Sequence, residues 1–258
     1  MNNEQSYVIC QFQTELNDFL SPQYRNLTFK YNFKGRVSVK DLIESVGVPH
    51  TEIDLILANS REVDFSYHVQ HQDEITVYPL SHITDISRQS RIRPEQLSTF
   101  KFVVDSHLGK LVKYLRMLGF DTLYRTDYSD SELALISQKE NRILLTRDLG
   151  LLKHRIINYG HFVKQTQPRK QLLEIIQWLN IDHPFHPFTR CIRCNGLLAS
   201  ISKHDIEEQL LPKTKEYYTE FKQCQACKHI YWKGSHYQRM QKLITNLTDN
   251  LIVPDLTT

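Results

Sequence analysis

The sequence predicts a protein of α+β and α/β class that ends in a small metal-binding ribbon, on three observations. Residues 7–79 combine short alternating strands with a single helix. From residue 101 onwards, strand and helix patterns alternate, which is typical of a parallel sheet covered by helices. Two Cys-x2-Cys pairs then follow. A chain of 258 residues is long enough to hold these units as separate domains.

Composition places the chain among ordinary soluble proteins, with 40% hydrophobic and 24% charged residues. The formal net charge of +3 permits an anionic partner without requiring one. No apolar run reaches the roughly 18 residues of a membrane span, and the first residues lack the pattern of a signal peptide. We therefore expect a cytoplasmic protein without a membrane partner. In a reducing compartment, its five cysteines should be thiols or metal ligands rather than disulfides.

The first segment, residues 1–80, has the pattern of an α+β domain. YVICQF and TFKYNF alternate as strands, and DLILAN and EITVYPL add two more. The helix SVKDLIESVG has a Ser38 cap and a stop at Gly47. Cys10, in the first strand, is expected to be a buried thiol. Residues 81–100 lose periodicity and gather polar groups, which predicts a linker.

The second segment, residues 101–182, repeats strand and helix. FVVD, FDTLY, RILLT and HFVKQ have strand patterns, and Asp121 in FDTLY is expected to be a solvated strand residue. LGKLVKYLRMLG is an amphipathic helix, and Ser129 with Glu132 forms a capping box at the start of the next one. PRKQLLEIIQWLN, with Pro168 in its first turn, predicts a last helix.

The third segment, residues 183–245, contains the strongest motif of the chain, and residues 246–258 form a tail. Cys-x2-Cys pairs place two thiolates on one cation, so two pairs complete a tetrahedral zinc site. With no position open for water, one structural zinc ion is expected. The alternative of two redox pairs or unrelated thiols is less common for this pattern. The predicted ligands are Cys191, Cys194, Cys224 and Cys227, with an insertion between the pairs.

Acidic residues follow two strands of the predicted parallel sheet and open one of its helices. Asp105 ends FVV, Asp148 follows RILLT, and Asp130 begins the helix after FDTLY. Carboxylates gathered at the carboxyl ends of parallel strands could share Mg²⁺ or Mn²⁺ and cleave phosphodiesters. Each of the three has an alternative role as a helix cap or first-turn acid. Asp127 and Glu132 lie close enough in sequence to join such a cluster.

Basic residues surround these acids and suggest a polyanionic substrate. The alternative is an ordinary solvated helix face. Near the chain's end, YWKGSHYQRM interleaves aromatic and basic residues, which suits base stacking and phosphate contacts; equally, Tyr231 and Trp232 could pack on the zinc knuckle. The candidate RNA-binding residues are Lys110, Lys113, Arg116, Arg147, Lys153, Arg155, Trp232, Lys233, His236 and Arg239.

Three separated motifs resemble the RNase domain found at the C-terminus of the Mut-seven exonuclease. They are FVVDSHLGKLVKYLRMLGFDTLYRTDYSDSELALIS, NRILLTRDLGLL and the two cysteine knuckles, over about residues 101–245. The resemblance implies a PIN-like nuclease fold of three layers joined to a zinc ribbon. It also implies a metal-dependent ribonuclease whose acids are Asp105, Asp130 and Asp148. Unlike typical PIN nucleases, the chain has no Glu between its first nuclease helix and Asp130.

Residues 7–80 resemble a ubiquitin-like β-grasp domain of the sulfur-carrier type. Carriers end in a free Gly-Gly, whereas YPLSHIT runs on into the linker, so docking of a protein partner or presentation of RNA is the expected role. For the whole chain, the expected activity is hydrolysis of single-stranded RNA with Mg²⁺ or Mn²⁺. The alternative is a non-catalytic RNA- or ribosome-binding module whose acids are helix caps.

Overall fold

A computed structural model describes residues 6–80, 90–93, 97, 99–179 and 185–252, except for the side chains of 236, 243 and 246–252. The N-terminal sheet has the strand order β2-β1-β5-β3-β4, in which β1 and β5 are parallel and the other pairs antiparallel. This is the predicted ubiquitin-like arrangement. Its elements are β1 (Ser6–Phe12), β2 (Phe29–Phe33), α1 (Val39–Ser45), β3 (Ile53–Ala58), β4 (Arg61–Glu62) and β5 (Glu74–Pro79).

Helix α1 covers this sheet and has the predicted boundaries. The Ser38 hydroxyl accepts a hydrogen bond from the Asp41 amide at 3.1 Å, which caps the helix. Gly47 follows with φ +113°, and a Cβ there would lie 2.6 Å from the Phe19 carbonyl oxygen. Only glycine fits this position. Cys10 is fully buried, as predicted, and burial raises the pKa of its thiol to about 12.

The central domain has a four-stranded parallel sheet in the order β7-β6-β8-β9. Helices α2 and α5 pack on one face, while α3 and α4 cover the other, which makes the predicted three layers. Its elements are β6 (Lys101–Val104), α2 (Gly109–Met117), β7 (Asp121–Tyr124), α3 (Asp130–Lys139), β8 (Ile143–Thr146), α4 (Leu149–Leu152), β9 (Gly160–Phe162) and α5 (Pro168–Trp178).

The C-terminal unit is an antiparallel sheet in the order β10-β11-β12 that joins the two cysteine pairs. Two short helices occupy the predicted insertion between the pairs. The elements are β10 (Leu198–Ile201), α6 (Lys203–Ile206), α7 (Pro212–Tyr217), β11 (Phe221–Cys224), β12 (Ile230–Trp232) and α8 (Ser235–Ile252). Within the described ranges, no helix is both long and apolar enough to cross a membrane.

The ubiquitin-like domain contacts the β9 edge of the central sheet through buried polar groups. Glu52 accepts a hydrogen bond from the Phe162 amide at 2.6 Å and lies 3.1 Å from Nδ1 of His161. His50 contacts the Ile157 carbonyl at 2.9 Å. Arg93 is buried at the same boundary, where its guanidinium donates to the carbonyls of Thr51, Ile53 and Asn158. Such groups are stable in the interior only when paired, so the two domains form a fixed interface.

Candidate functional site

The acids after β6 and β8 lie at the sheet edge where the order of the parallel strands reverses, and we call this edge the Asp105 crevice. The chain passes from β6 outward to β7 and then returns to β8 on the other side of β6. In open parallel sheets, ligands bind outside the carboxyl ends of the strands at such a reversal. Asp105 follows β6, and Thr146 is the last residue of β8. The topology therefore brings these two side chains together from distant parts of the sequence.

Asp105 is held as a carboxylate by three donors. Thr146 Oγ1 donates to Oδ2 at 2.7 Å, Ser106 Oγ donates to Oδ1 at 3.0 Å, and His107 Nδ1 lies 3.2 Å from Oδ1. The residue is 7% exposed. Burial alone would raise the pKa of Asp105, but these hydrogen bonds outweigh it and the pKa lies below the ordinary value. The carboxylate is therefore ionised at neutral pH.

The carboxylate of Asp105 does not cap the helical turn that follows it. Asp105 occupies the N-cap position of the turn Ser106–Leu108, yet its side chain makes no capping hydrogen bond. The cap interpretation thus does not describe this acid. A buried, ionised carboxylate that contributes nothing to the local helix is better suited to a ligand than to local structure.

Asp148 does act as a cap. Its Oδ1 accepts hydrogen bonds from the amides of Gly150 at 2.7 Å and Leu151 at 3.2 Å, at the start of α4. Its own amide donates to Thr146 Oγ1 at 3.0 Å. The Thr146 hydroxyl therefore lies between the two acids, donating to one and accepting from the other.

Asp130 is exposed in the first turn of α3, behind the Ser129–Glu132 capping box that the sequence predicted. Asp127 pairs with Arg125 at the surface. Among the described residues, the group of His, Cys, Asp or Glu side chains whose ligand atoms converge is the four-cysteine cluster. Asp105, Asp130 and Asp148 thus do not form a preassembled three-carboxylate cage. Mg²⁺ commonly uses one or two carboxylates with waters and phosphate oxygens, so a cation here would not require all three acids.

Three of the predicted RNA-binding cations make hydrogen bonds to the protein's own backbone. Arg116 is buried and donates to the backbone carbonyls of Thr122, Ile192 and Arg193, which joins α2 to the first cysteine knuckle. The guanidinium of Arg147 donates to three consecutive carbonyls, at residues 163–165. Lys153 donates to the Glu44 carbonyl at 2.8 Å. Lys110, Lys113 and Arg155 stay exposed and can reach a polyanion.

Asp121 is not the solvated strand residue that the sequence suggested. Its carboxylate accepts from Arg142 at 2.8 Å, from Asn195 at 2.7 Å and from Arg190 at 3.3 Å. Burial opposes ionisation, but these partners outweigh it and lower the pKa of Asp121. Because two of the partners belong to the ribbon, Asp121 joins the sheet to the cysteine cluster.

The four predicted cysteine ligands converge in the ribbon. All four Sγ atoms lie within 4.8 Å of one another, with Cys191 and Cys227 3.6 Å apart and Cys194 and Cys224 3.4 Å apart. A tetrahedral zinc ion with Zn–S bonds of about 2.3 Å needs S···S separations of about 3.8 Å. The cluster therefore fits one Zn²⁺. Gly196 allows the close approach, since a Cβ there would lie 2.9 Å from the Cys224 sulfur.

Tyr231 belongs to this metal centre. Its hydroxyl lies 3.0 Å from Cys191 Sγ, within hydrogen-bond distance. Burial opposes ionisation of Cys191, but this bond and backbone donors lower the pKa of its thiol to about 7. Tyr231 therefore packs on the cysteine knuckle, which is the structural interpretation of the tail aromatics. Trp232 is 38% exposed.

The remaining tail residues lie near the surface. Lys233 pairs with Glu220 at 2.6 Å, and Arg239 is exposed and donates to the Ser235 carbonyl. The His236 side chain is outside the described atoms. At the acid site, sequence reasoning missed Ser106, His107 and Thr146. Their signal was available, because each is a polar residue within two positions of a predicted acid at a strand end.

Comparison with known proteins agrees with this architecture. Residues 100–244 match the Mut7-C RNAse domain, and residues 5–85 match the Mut7-C ubiquitin domain. Neither a curated protein nor a solved structure gives a significant match. The first match covers the parallel sheet, the acid crevice and the cysteine ribbon, and is more than half of the chain. The protein therefore belongs to the Mut7-C RNAse domain family and carries that family's ubiquitin-like domain in front.

Proposed function

We propose that this protein is a ribonuclease that hydrolyses phosphodiester bonds of single-stranded RNA with Mg²⁺ or Mn²⁺ at the Asp105 crevice. The observation that carries the proposal is the state of Asp105. It is a buried, ionised carboxylate at the switch point of a parallel sheet, and it serves no helix. Membership of an RNAse family supports the choice of RNA as substrate.

Each residue of the crevice has a distinct proposed role. Asp105 would be the principal cation ligand, Asp148 would offer its second oxygen, and Asp130 would supply a further carboxylate from the start of α3. Thr146 fixes the Asp105 carboxylate through its 2.7 Å hydrogen bond. When bound, the cation would lower the pKa of a water and neutralise charge on the phosphate. Lys110, Lys113 and Arg155 would contact neighbouring phosphates.

The ubiquitin-like domain is proposed to act as a structural part of the nuclease, packed against its sheet edge, rather than as a sulfur carrier. It lacks the terminal Gly-Gly, and it is bound in cis to the β9 edge through Glu52 and His50. Lys164, after β9, also pairs with Asp18 at 2.5 Å. The same loop is held by Arg147, next to Asp148. Packing of the ubiquitin-like domain against β9 therefore helps to fix the loop that holds Arg147, and with it the position of Asp148.

A second candidate function is a non-catalytic RNA-binding module, and the cap role of Asp148 favours it. Two of the three acids have helix-terminal roles, and the three do not converge. Incubation of the purified full chain with end-labelled single-stranded RNA, with Mn²⁺ or with EDTA, separates the two functions. Cleavage that requires Mn²⁺ supports the nuclease. Retention of intact RNA in every divalent cation tested would favour the binding module.

A further inference from the structure

A second concave surface lies on the ribbon, lined by none of the acid-site residues. It has a volume of about 1160 Å³ and follows β12, the edge strand of the ribbon sheet. Its lining also includes residues of α7, of the segment after α7, and of α8. We call this surface the ribbon groove and define it by Lys213, Tyr217, Tyr218, Trp232, Lys233 and Tyr237.

The ribbon groove exposes large aromatic side chains that a small domain would normally bury. Tyr217 is 70% exposed and Trp232 is 38% exposed. The Tyr218 and Trp232 rings lie 6.4 Å apart at an angle of 46°. Exposed aromatic side chains that cluster in one concave surface are typical of a binding site.

Trp232 is held in position by its surroundings. A Cβ on Gly234 would lie 2.9 Å from Nε1 of the indole and 3.4 Å from the Tyr218 hydroxyl. The glycine therefore lets the indole and the tyrosine lie against bare backbone. A ring packed on one side loses less side-chain entropy on binding than a ring that is free in solvent.

Charge in the ribbon groove favours an anionic ligand. Its lining includes the cations Arg190, Lys213, Lys222 and Lys233, and a single acid, Glu220. Arg190 pairs with Asp121, Lys222 donates to the Phe188 carbonyl, and Lys233 pairs with Glu220. The Lys213 side chain is exposed and makes no hydrogen bond or ion pair in the described part of the chain. This excess of cations beside aromatic rings is unsuited to an apolar protein helix and suited to nucleic acid.

We propose that the ribbon groove binds unpaired bases of single-stranded RNA, with Trp232 and Tyr217 as stacking platforms and Lys213 as a phosphate contact. The proposal rests on the proposed function only in taking RNA as the substrate. Aromatic rings stack on any base that is free of a duplex, whereas bases in a double helix are already stacked. The groove would therefore select single strands and hold them while the Asp105 crevice cleaves.

The test uses the tryptophan fluorescence of the full chain. The chain has two tryptophans; Trp178 is 6% exposed and stacks on His161 at 4.2 Å, so a base can reach Trp232 but not Trp178. Binding is measured with oligouridylate in the Asp105→Asn protein, which prevents cleavage during titration. We expect quenching by oligouridylate and much weaker quenching by a duplex of equal length.

Single substitutions test which residues of the ribbon groove bind RNA. Trp232→Ala and Tyr217→Ala should each weaken oligouridylate binding roughly tenfold, measured by fluorescence anisotropy of a labelled oligonucleotide. Lys213→Ala should reduce the slope of log affinity against log salt by about one. The matched control is Leu197→Ala, because Leu197 is 52% exposed on the same ribbon and does not line the groove. It should bind like its parent.

Each outcome bears on the proposal. Zinc content is measured for every variant, so that loss of binding in a protein that keeps one zinc ion reports the groove and not unfolding. Equal affinity of Trp232→Ala, Tyr217→Ala and parent would overturn the proposal, as would equal binding of duplex and single strand. The binding assay uses the Asp105→Asn protein and does not depend on cleavage. If the wild-type protein binds RNA through the groove but does not cleave it, the nuclease proposal is overturned and the groove proposal stands.

Discussion

At the residue scale, the acids after β6 and β8 differ in what their oxygens contact. The Asp105 carboxylate accepts from side-chain donors, including the Thr146 hydroxyl, whereas the Asp148 carboxylate caps α4 and only its backbone amide contacts Thr146. Substitution by Ala would confound the loss of charge with the loss of the cap. Substitution by Asn removes the charge and keeps the cap, because Asn and Asp are equally good N-caps.

Asp148 therefore allows its two roles to be separated. Asp148→Asn should keep the free energy of unfolding within a few tenths of a kcal/mol, while Asp148→Ala should lower it by about 1 kcal/mol. If Asp148 also binds the catalytic cation, both variants should lose RNA cleavage to a similar extent. Chemical denaturation and a cleavage assay with Mn²⁺ measure the two effects. Full activity in a correctly folded Asp148→Asn protein would leave Asp148 as a cap only.

Single residues also show how far sequence reasoning reached. Asp105 could be singled out because it ends an apolar strand, a purely local pattern. The contacts of Arg116 and Asp121 could not be predicted, because the partners Ile192, Arg193 and Asn195 lie more than 70 residues away in sequence. On sequence alone, a buried structural arginine on a polar helix face looks the same as a substrate-binding one.

At the element scale, the ribbon should depend on its metal. Its sheet is small and buries little apolar surface, so zinc binding is expected to supply on the order of 10 kcal/mol of its folding free energy. Cys194→Ser should release zinc and unfold the ribbon while the parallel sheet survives. RNA cleavage should then show a larger rise in KM than fall in kcat, because the crevice remains.

Zinc analysis and hydrogen exchange measure that effect directly. Cys10→Ser is the matched control, since Cys10 lies in the ubiquitin-like domain and outside the cluster. It should keep one zinc ion per chain. Protein purified without chelator that contains no stoichiometric zinc would contradict the assignment.

Elements were predictable where their signals are local. The Ser38 cap, the Ser129–Glu132 capping box and the cysteine spacing each lie within a few residues, and the structure confirms all three. The ribbon groove was not predictable as a surface. Tyr217 comes from the insertion and Trp232 from β12, and only folding of the ribbon brings them to one concavity.

At the scale of the whole molecule, a buried ionic group joins the first two domains. His161 lies between Glu52 of the ubiquitin-like domain and Glu174 of α5, at 3.1 and 3.4 Å. Burial alone would lower the pKa of His161, but the two carboxylates overcome it and raise the pKa to about 9. The imidazolium is therefore the expected form at neutral pH.

This arrangement predicts how stability depends on pH. The folded pKa of His161 exceeds its unfolded value of about 6.5, so its contribution is complete below pH 6.5 and is lost as pH rises through about 9. Glu52→Gln keeps an acceptor for the Phe162 amide and removes one charge; it should cost on the order of 3 kcal/mol at pH 7. Melting curves of both proteins should converge between pH 7 and 9.5. A difference that stays constant across this window would contradict the ion-pair account.

The most direct test of the central claim is the single-turnover cleavage rate of Asp105→Asn at saturating single-stranded RNA and Mn²⁺. Asn keeps the size of the side chain and loses the charge that the cation needs, so the rate should fall roughly 100-fold or more. RNA affinity and zinc content should stay unchanged. Asp205→Asn, an exposed acid in the ribbon insertion, is the matched control and should cleave at the wild-type rate. A rate for Asp105→Asn within twofold of wild type would contradict the assignment of this crevice as the active site.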